Sequence, residues 1–200
     1  VREAEPSAVR LVAWTPRGMG PARALADGVL DAVATSAAEA IADADLIVLA
    51  APPLDCLSLL DVLGGPWRAA VAPGAAITDV ASTKAAILAR AASHSLPFVG
   101  GHPMAGLESS GYAAATADLF VDRPWVVVPG EAATDEDIRR VEDLATACGA
   151  VPMRMEAVAH DLAVAGTSHL PLILAAALVE AVMEGGFEPR LTAGGWRDMT

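Results

Sequence analysis

One stretch limits what this chain can fold into: Asp45 followed by Leu46-Ile47-Val48-Leu49-Ala50-Ala51, an apolar run with no polar alternation. A strand with one wet face alternates apolar and polar residues. An unbroken apolar run is expected of a strand buried on both faces, in a parallel sheet covered by helices. The neighbouring sequence has the same grammar. Residues 9–14 read as a strand ended by the turn Thr15-Pro16-Arg17-Gly18, and residues 21–26 as a helix stopped at Gly28. Thr35 or Ser36 caps a helix reaching about Ala44, with Glu39 folding back on it. Helices are expected over 54–63, 84–93 and 134–148, and strands over 76–80, 97–100, 124–128 and 151–155. Such alternation specifies an open α/β sheet over residues 1–155. After Glu156 the pattern is helical only, with expected breaks at Gly166 and at Ser168-His169-Leu170-Pro171, so residues 156–200 read as the start of a helical domain.

Composition excludes some functions. Twenty-five acidic residues against 13 scattered Lys and Arg give a net charge of -12, the wrong sign for neutralising a phosphate backbone. No nucleic-acid partner is expected. The longest membrane candidate, 170–179, contains Pro171, ends at Glu180 and falls far short of the ~20 apolar residues a span needs, so no membrane is expected either. Residues 1–5 are charged, unlike a signal peptide. Cys56 and Cys148 lack metal-ligand or CxxC spacing and read as free thiols of a cytoplasmic protein, with no metal expected.

The chemistry concentrates in Phe98-Val99-Gly100-Gly101-His102-Pro103-Met104-Ala105-Gly106-Leu107-Glu108-Ser109-Ser110-Gly111. A short strand is expected to stop at two glycines and present a histidine whose direction a proline sets. Histidine titrates nearest neutrality and can accept or return a proton there; the plainer alternative is a polar turn residue. In open α/β sheets ligands bind beyond the carboxyl ends of the strands. Three such ends carry notable residues: Ala51-Pro52-Pro53, the segment Asp79-Val80-Ala81-Ser82-Thr83-Lys84, and the histidine stretch.

Together with Leu119-Phe120, His160-Asp161, Ser168-His169-Leu170-Pro171 and Gly194-Gly195-Trp196-Arg197-Asp198-Met199-Thr200, these blocks resemble the prephenate and arogenate dehydrogenases of tyrosine biosynthesis. The resemblance implies a Rossmann-like nucleotide-binding domain, an NAD or NADP cofactor, and oxidative decarboxylation of a small cyclohexadienyl acid. By position in the motif it makes His102 the catalytic histidine, and it places Ser82 near the substrate hydroxyl, with helix capping as Ser82's alternative. Ser168, His169, Glu108 and Gly106 would face the substrate. Capping and gap-filling remain the alternatives for Ser168 and His169, and a solvated carboxylate for Glu108. Lys84 could face the site, with a solvated, exposed helix lysine as the commoner reading, and Asp161 could cap the helical region or brace it against the sheet.

Three departures qualify the resemblance. The Gly-x-Gly-x-x-Gly turn and its strand are missing, since Gly18-Met19-Gly20 follows the wrong strand; residues 1–5 look like the tail of the helix beyond that turn. The family's substrate-carboxylate arginine would come just after Thr200, so the chain reads as truncated at both ends, its apolar helical surface awaiting a homodimer partner. Leu172 stands where many prephenate-acting members have a histidine, which favours arogenate. Thr15, Pro16 and Arg17 replace the acidic residue that holds the ribose hydroxyls of NAD, which favours NADP. Ala51, Pro52 and Pro53 would flank the adenosine half, and backbone near Asp79 and Ala81 the nicotinamide. Two other readings stand: another Rossmann dehydrogenase with a helical second domain, or a non-catalytic remnant of such an enzyme.

Overall fold

The computed structural model describes residues 9–107, 109–186, 193–197 and 199. Expectations for residues 1–5, Glu108, Asp198 and Thr200 fall outside these. The chain divides into two compact units, Val1–Ala157 and Val158–Thr200.

The first unit opens with β1 (Val12–Ala13), α1 (Met19–Ala26), β2 (Ala32–Val33) and α2 (Ala37–Ile41), in which β1 and β2 pair parallel as a separate small sheet. Then follow β3 (Leu46–Leu49), α3 (Pro53–Gly64), β4 (Ala76–Asp79), α4 (Ala85–Ser93), β5 (Phe98–Pro103), β6 (Pro124–Pro129), α5 (Asp135–Ala147) and β7 (Val151–Arg154). The five strands lie in the order β3-β4-β5-β6-β7. All neighbours are parallel except β5 and β6, which pair antiparallel. The connection explains this reversal. A parallel neighbour is usually reached through a crossover helix, whereas among the described residues of 104–123 the one helical element is a short 3-10 turn, Tyr112–Ala114.

Alternation along β5 and β6 assigns each face its layer. Phe98 joins Ile47, Leu49 and Ile77 of the sheet with Leu60, Leu63, Ile87 and Ala91 of α3 and α4. Val99, Trp125 and Val127 pack on Ile138, Val141 and Ala145 of α5. Helix α5 begins where the sequence places it, because Thr134 accepts the Asp137 amide at 3.2 Å while the Asp137 carboxylate receives the Thr134 amide at 2.8 Å. Ser36 caps α2 by accepting the Glu39 amide, while the Glu39 carboxylate reaches one residue further back and accepts from the Thr35 amide and hydroxyl. That helix ends at Ile41, short of Ala44, as Asp43 turns into the left-handed region at φ 60°.

Two expectations are corrected here. Strand β3 is not buried along the whole of both faces: Val48 is 42% exposed, although Leu46 on the same side packs against the α5 cluster. Strand β5 does not stop at its glycines; it runs through Gly100, Gly101 and His102, whose backbone is registered against Val128, Val127 and Val126.

The second unit contains α6 (Ala157–Val164), a π-helical segment (Ala165–His169), α7 (Leu170–Glu184) and the short α8 (Gly194–Arg197). The expected breaks at Gly166 and Pro171 do not occur. The wider π turn sits where Pro171, lacking an N–H, cannot donate to the preceding turn, so the backbone stays helical without that bond. As a result Ala157–Glu184 is one helix of 28 residues with mean hydropathy 1.9, long and apolar enough by length and composition to cross a membrane. The expectation of a stretch far too short is overturned. A helix packed inside a protein assembly passes the same test.

Leu60 is fully buried between the α3 and α4 layers. Leu60→Ala should lower unfolding free energy by about 2–5 kcal/mol in urea melts, and Thr134→Ala by ~1 kcal/mol through loss of the cap.

Candidate active site

Three strand ends meet the sequence expectations to different degrees. At the end of β1, Thr15 and Arg17 occupy an exposed turn, in which the Thr15 hydroxyl accepts the Gly18 amide at 3.0 Å. Beyond β3, Ala51 and Pro52 lead into α3, whose first residue is Pro53; proline is favoured there because the first helical N–H has no intrahelical acceptor. Cys56 of α3 lies beneath this end. Its thiol donates to the Ala51 carbonyl at 3.3 Å, and burial pushes its pKa up to about 11, so it is an inert core thiol.

The third place joins the ends of β4 and β5. Asp79, the last residue of β4, is fully buried, and so is Lys84, which immediately precedes α4. One Asp79 oxygen accepts the Gly101 amide at 3.0 Å. The other accepts the Ala81 amide at 3.1 Å and pairs with the Lys84 ammonium. Lys84 also donates to the Gly101 carbonyl at 2.8 Å. Burial pushes the Asp79 carboxyl above its ordinary pKa, while the Lys84 charge and the two amides pull the other way. Removing Lys84 alone would leave a buried carboxylate without its cation, at a cost of about 3–5 kcal/mol.

Lys84 is therefore not the exposed helix lysine expected from sequence. The signal that pointed to it was the pair of strand glycines, since glycine inside a strand marks close approach. A Cβ on Gly100 would come within 2.9 Å of the Lys84 stem, and one on Gly101 within 2.5 Å of the Asp79 carbonyl. Sequence reasoning also missed Trp125. It is buried, edge-on to Phe120 at 5.3 Å between ring centroids, and its indole N–H lies beside Gly101 with no hydrogen-bond acceptor among the described residues.

His102 follows Gly101 and is partly buried; Ser82 follows Ala81, also partly buried. Ser82 lies two residues before Lys84, which occupies the cap position of α4. Ser168 lies exposed inside the π segment of a continuous helix, so it stands at no helix start. His169 is the last residue of that segment, a widened turn of a kind that recurs at functional sites. In the same unit the buried His160 ring bonds the Asp161 carboxylate at 2.8 Å, so Asp161 orients a histidine within its own helix. Beyond His102, Gly106 lines an open cleft of about 470 Å³ together with Met104, Leu107, Thr116, Asp118 and Arg123.

The Asp79 carboxylate is committed to the Lys84 ammonium and to the Ala81 and Gly101 amides, inside the protein. The chain's fit to a nicotinamide dinucleotide is incomplete. The glycine turn that cradles a dinucleotide's pyrophosphate has no counterpart in residues 1–200.

Comparison with known proteins follows the same lines. The family described as "Prephenate dehydrogenase, nucleotide-binding domain" matches residues 16–154. A prephenate dehydrogenase of Bacillus subtilis is 33% identical over 185 residues, covering 88% of this chain and 49% of the relative. A cyclohexadienyl dehydrogenase of Zymomonas mobilis is 31% identical over 188 residues, covering 89% and 62%. The chain thus spans about half the length of the first of these. Among solved structures, prephenate dehydrogenase of A. aeolicus with hydroxyphenyl propionate and NAD+ superposes with a TM-score of 0.85 at 22% identity, over 99% of this chain and 70% of that one. Synechocystis arogenate dehydrogenase gives 0.81 at 28% identity, over 97% and 70%. With its sheet, its histidine strand and the span of the match in agreement, this chain belongs to the prephenate dehydrogenase nucleotide-binding domain family.

Proposed function

We propose that the protein carrying this chain performs NAD(P)-dependent oxidative decarboxylation of prephenate or arogenate, yielding 4-hydroxyphenylpyruvate or tyrosine. The observation that carries this reading is His102, held at the last turn of the pleat of β5 inside a family block, one residue from a buried ion pair that also holds the residue before Ser82. When bound, the nicotinamide supplies a hydride acceptor. His102 accepts a hydrogen bond from the substrate's ring hydroxyl and holds its proton as the carbonyl forms. Ser82 bonds the same oxygen. Loss of the ring carboxylate as carbon dioxide leaves a phenolate, to which the proton on His102 returns, so no proton is gained or lost overall. Gly106 and Glu108 orient the rest of the substrate.

Finer features are part of the same proposal. Leu172 lacks a hydrogen-bonding side chain for a keto acid, which favours arogenate. Arg17 and Thr15 favour NADP, because a guanidinium pairs with a ribose phosphate where a carboxylate would repel it. The protein works in the cytoplasm as a homodimer. Leu172, Ile173, Leu174 and Met183 of α7 are all more than half exposed in the single chain, an apolar surface suited to a second subunit.

The test offers prephenate and arogenate, each with NAD and NADP, and follows reduced nicotinamide by absorbance. Turnover with one of the four pairs is expected; none in the complete protein overturns the reading in favour of a non-catalytic remnant. His102→Asn should lower turnover on the order of 10²-fold or more with little change in cofactor binding. Arg17→Ala should raise the Kd for NADP about tenfold while that for NAD stays within about twofold.

A further inference from the structure

We infer that the buried Asp79–Lys84 pair is the positioning element of the active site, setting His102 and Ser82 through the backbone of the residue that precedes each. The inference rests on the dehydrogenase reading above and deepens it.

Pairing between β4 and β5 is recorded only at Ile77 with Phe98 and Thr78 with Val99. Past that point β5 continues for four residues, with β6 on one side and no strand ladder on the other. Gly101 lies in this unsupported part. In extended backbone the N–H and C=O of one residue point to the same side. Asp79 takes the Gly101 N–H and Lys84 supplies a donor for its C=O, so two side chains stand in for a neighbouring strand. The same carboxylate takes the Ala81 N–H. One buried pair thereby ties together the two chain segments that carry His102 and Ser82.

Stability alone does not account for charges at this place. A buried ion pair is commonly replaceable by apolar side chains without loss, but apolar groups would not hold a particular amide and carbonyl at fixed positions. The glycines complete the device: Gly100 leaves room for the Lys84 stem, and Gly101 lets β5 lie against the β4 carbonyl. Neither Asp79 nor Lys84 has solvent-exposed surface, so neither is available to touch substrate, and their effect passes through backbone.

The experiment replaces the pair with uncharged groups, Asp79→Asn with Lys84→Met, in the complete protein; Lys84→Met alone strands a charge and serves as the destabilised comparison. A misplacement of order 1 Å at a reacting group costs on the order of 10²-fold. The paired variant should lose that factor in kcat, with KM and cofactor Kd within about threefold. In a His102→Asn background the same change should cost at most about tenfold, since the part that passes through His102 is already lost and only the part that passes through Ser82 remains. Full kcat in the paired variant, or an equal loss with and without His102, overturns the inference while the dehydrogenase reading stands. Should the unaltered protein turn over neither substrate, that reading falls, and amide hydrogen exchange judges the pair. Exchange at Gly101 and Ala81 at least about tenfold faster in the paired variant, with Phe98 and Val127 unchanged, supports it; unchanged exchange at Gly101 and Ala81 overturns it.

Discussion

A carboxylate and an ammonium with no access to water dominate the carboxyl end of this sheet. Once Asp79 and Lys84 are buried together, each must satisfy its remaining hydrogen-bonding capacity nearby, and the partners within reach are the backbones of Ala81 and Gly101. That demand explains features that look unrelated in sequence. It requires glycine at 100 and 101, and it lets β5 extend beyond its ladder with β4. It also brings the His102 and Ser82 segments to one place.

The rest of the first unit supports this end of the sheet from both sides. Helices α3 and α4 close one face over Leu49, Ile77 and Phe98, while α5 closes the other over Val99 and Val127. Reversal of β6 matters because it places a backbone partner beside Gly101 and His102 on the side away from β4. The histidine is thus held as part of a strand, which ends at Pro103. The open cleft lined by Met104 and Gly106 follows directly in the chain.

Much of this was legible in residue order. Thr134 with Asp137 and Ser36 with Glu39 marked helix starts because capping is a local affair of three residues. The histidine block and the Asp79 to Lys84 segment stood out because glycine, proline and polar residues cluster at strand ends. Lys84 was misread because a lone lysine near a helix start is ordinarily solvated; only its partner across 17 residues of chain brings it inside. The helix over 157–184 was misread as interrupted because proline is a local signal, whereas a π turn that absorbs it is a property of the whole backbone path.

By itself the sequence determined the α/β alternation, the element starts set by caps and turns, and the identity of the residues able to do proton chemistry. These depend on hydrogen bonds and periodicities spanning a few residues. Tertiary structure alone decided the direction of β6, the exposed face of Val48, the burial of Lys84 and the use of Asp79 as a backbone clamp. Each of those depends on what lies across the sheet, since the buried pair needs the Gly101 amide and carbonyl of a strand 17 to 22 residues away to meet its remaining hydrogen-bonding capacity.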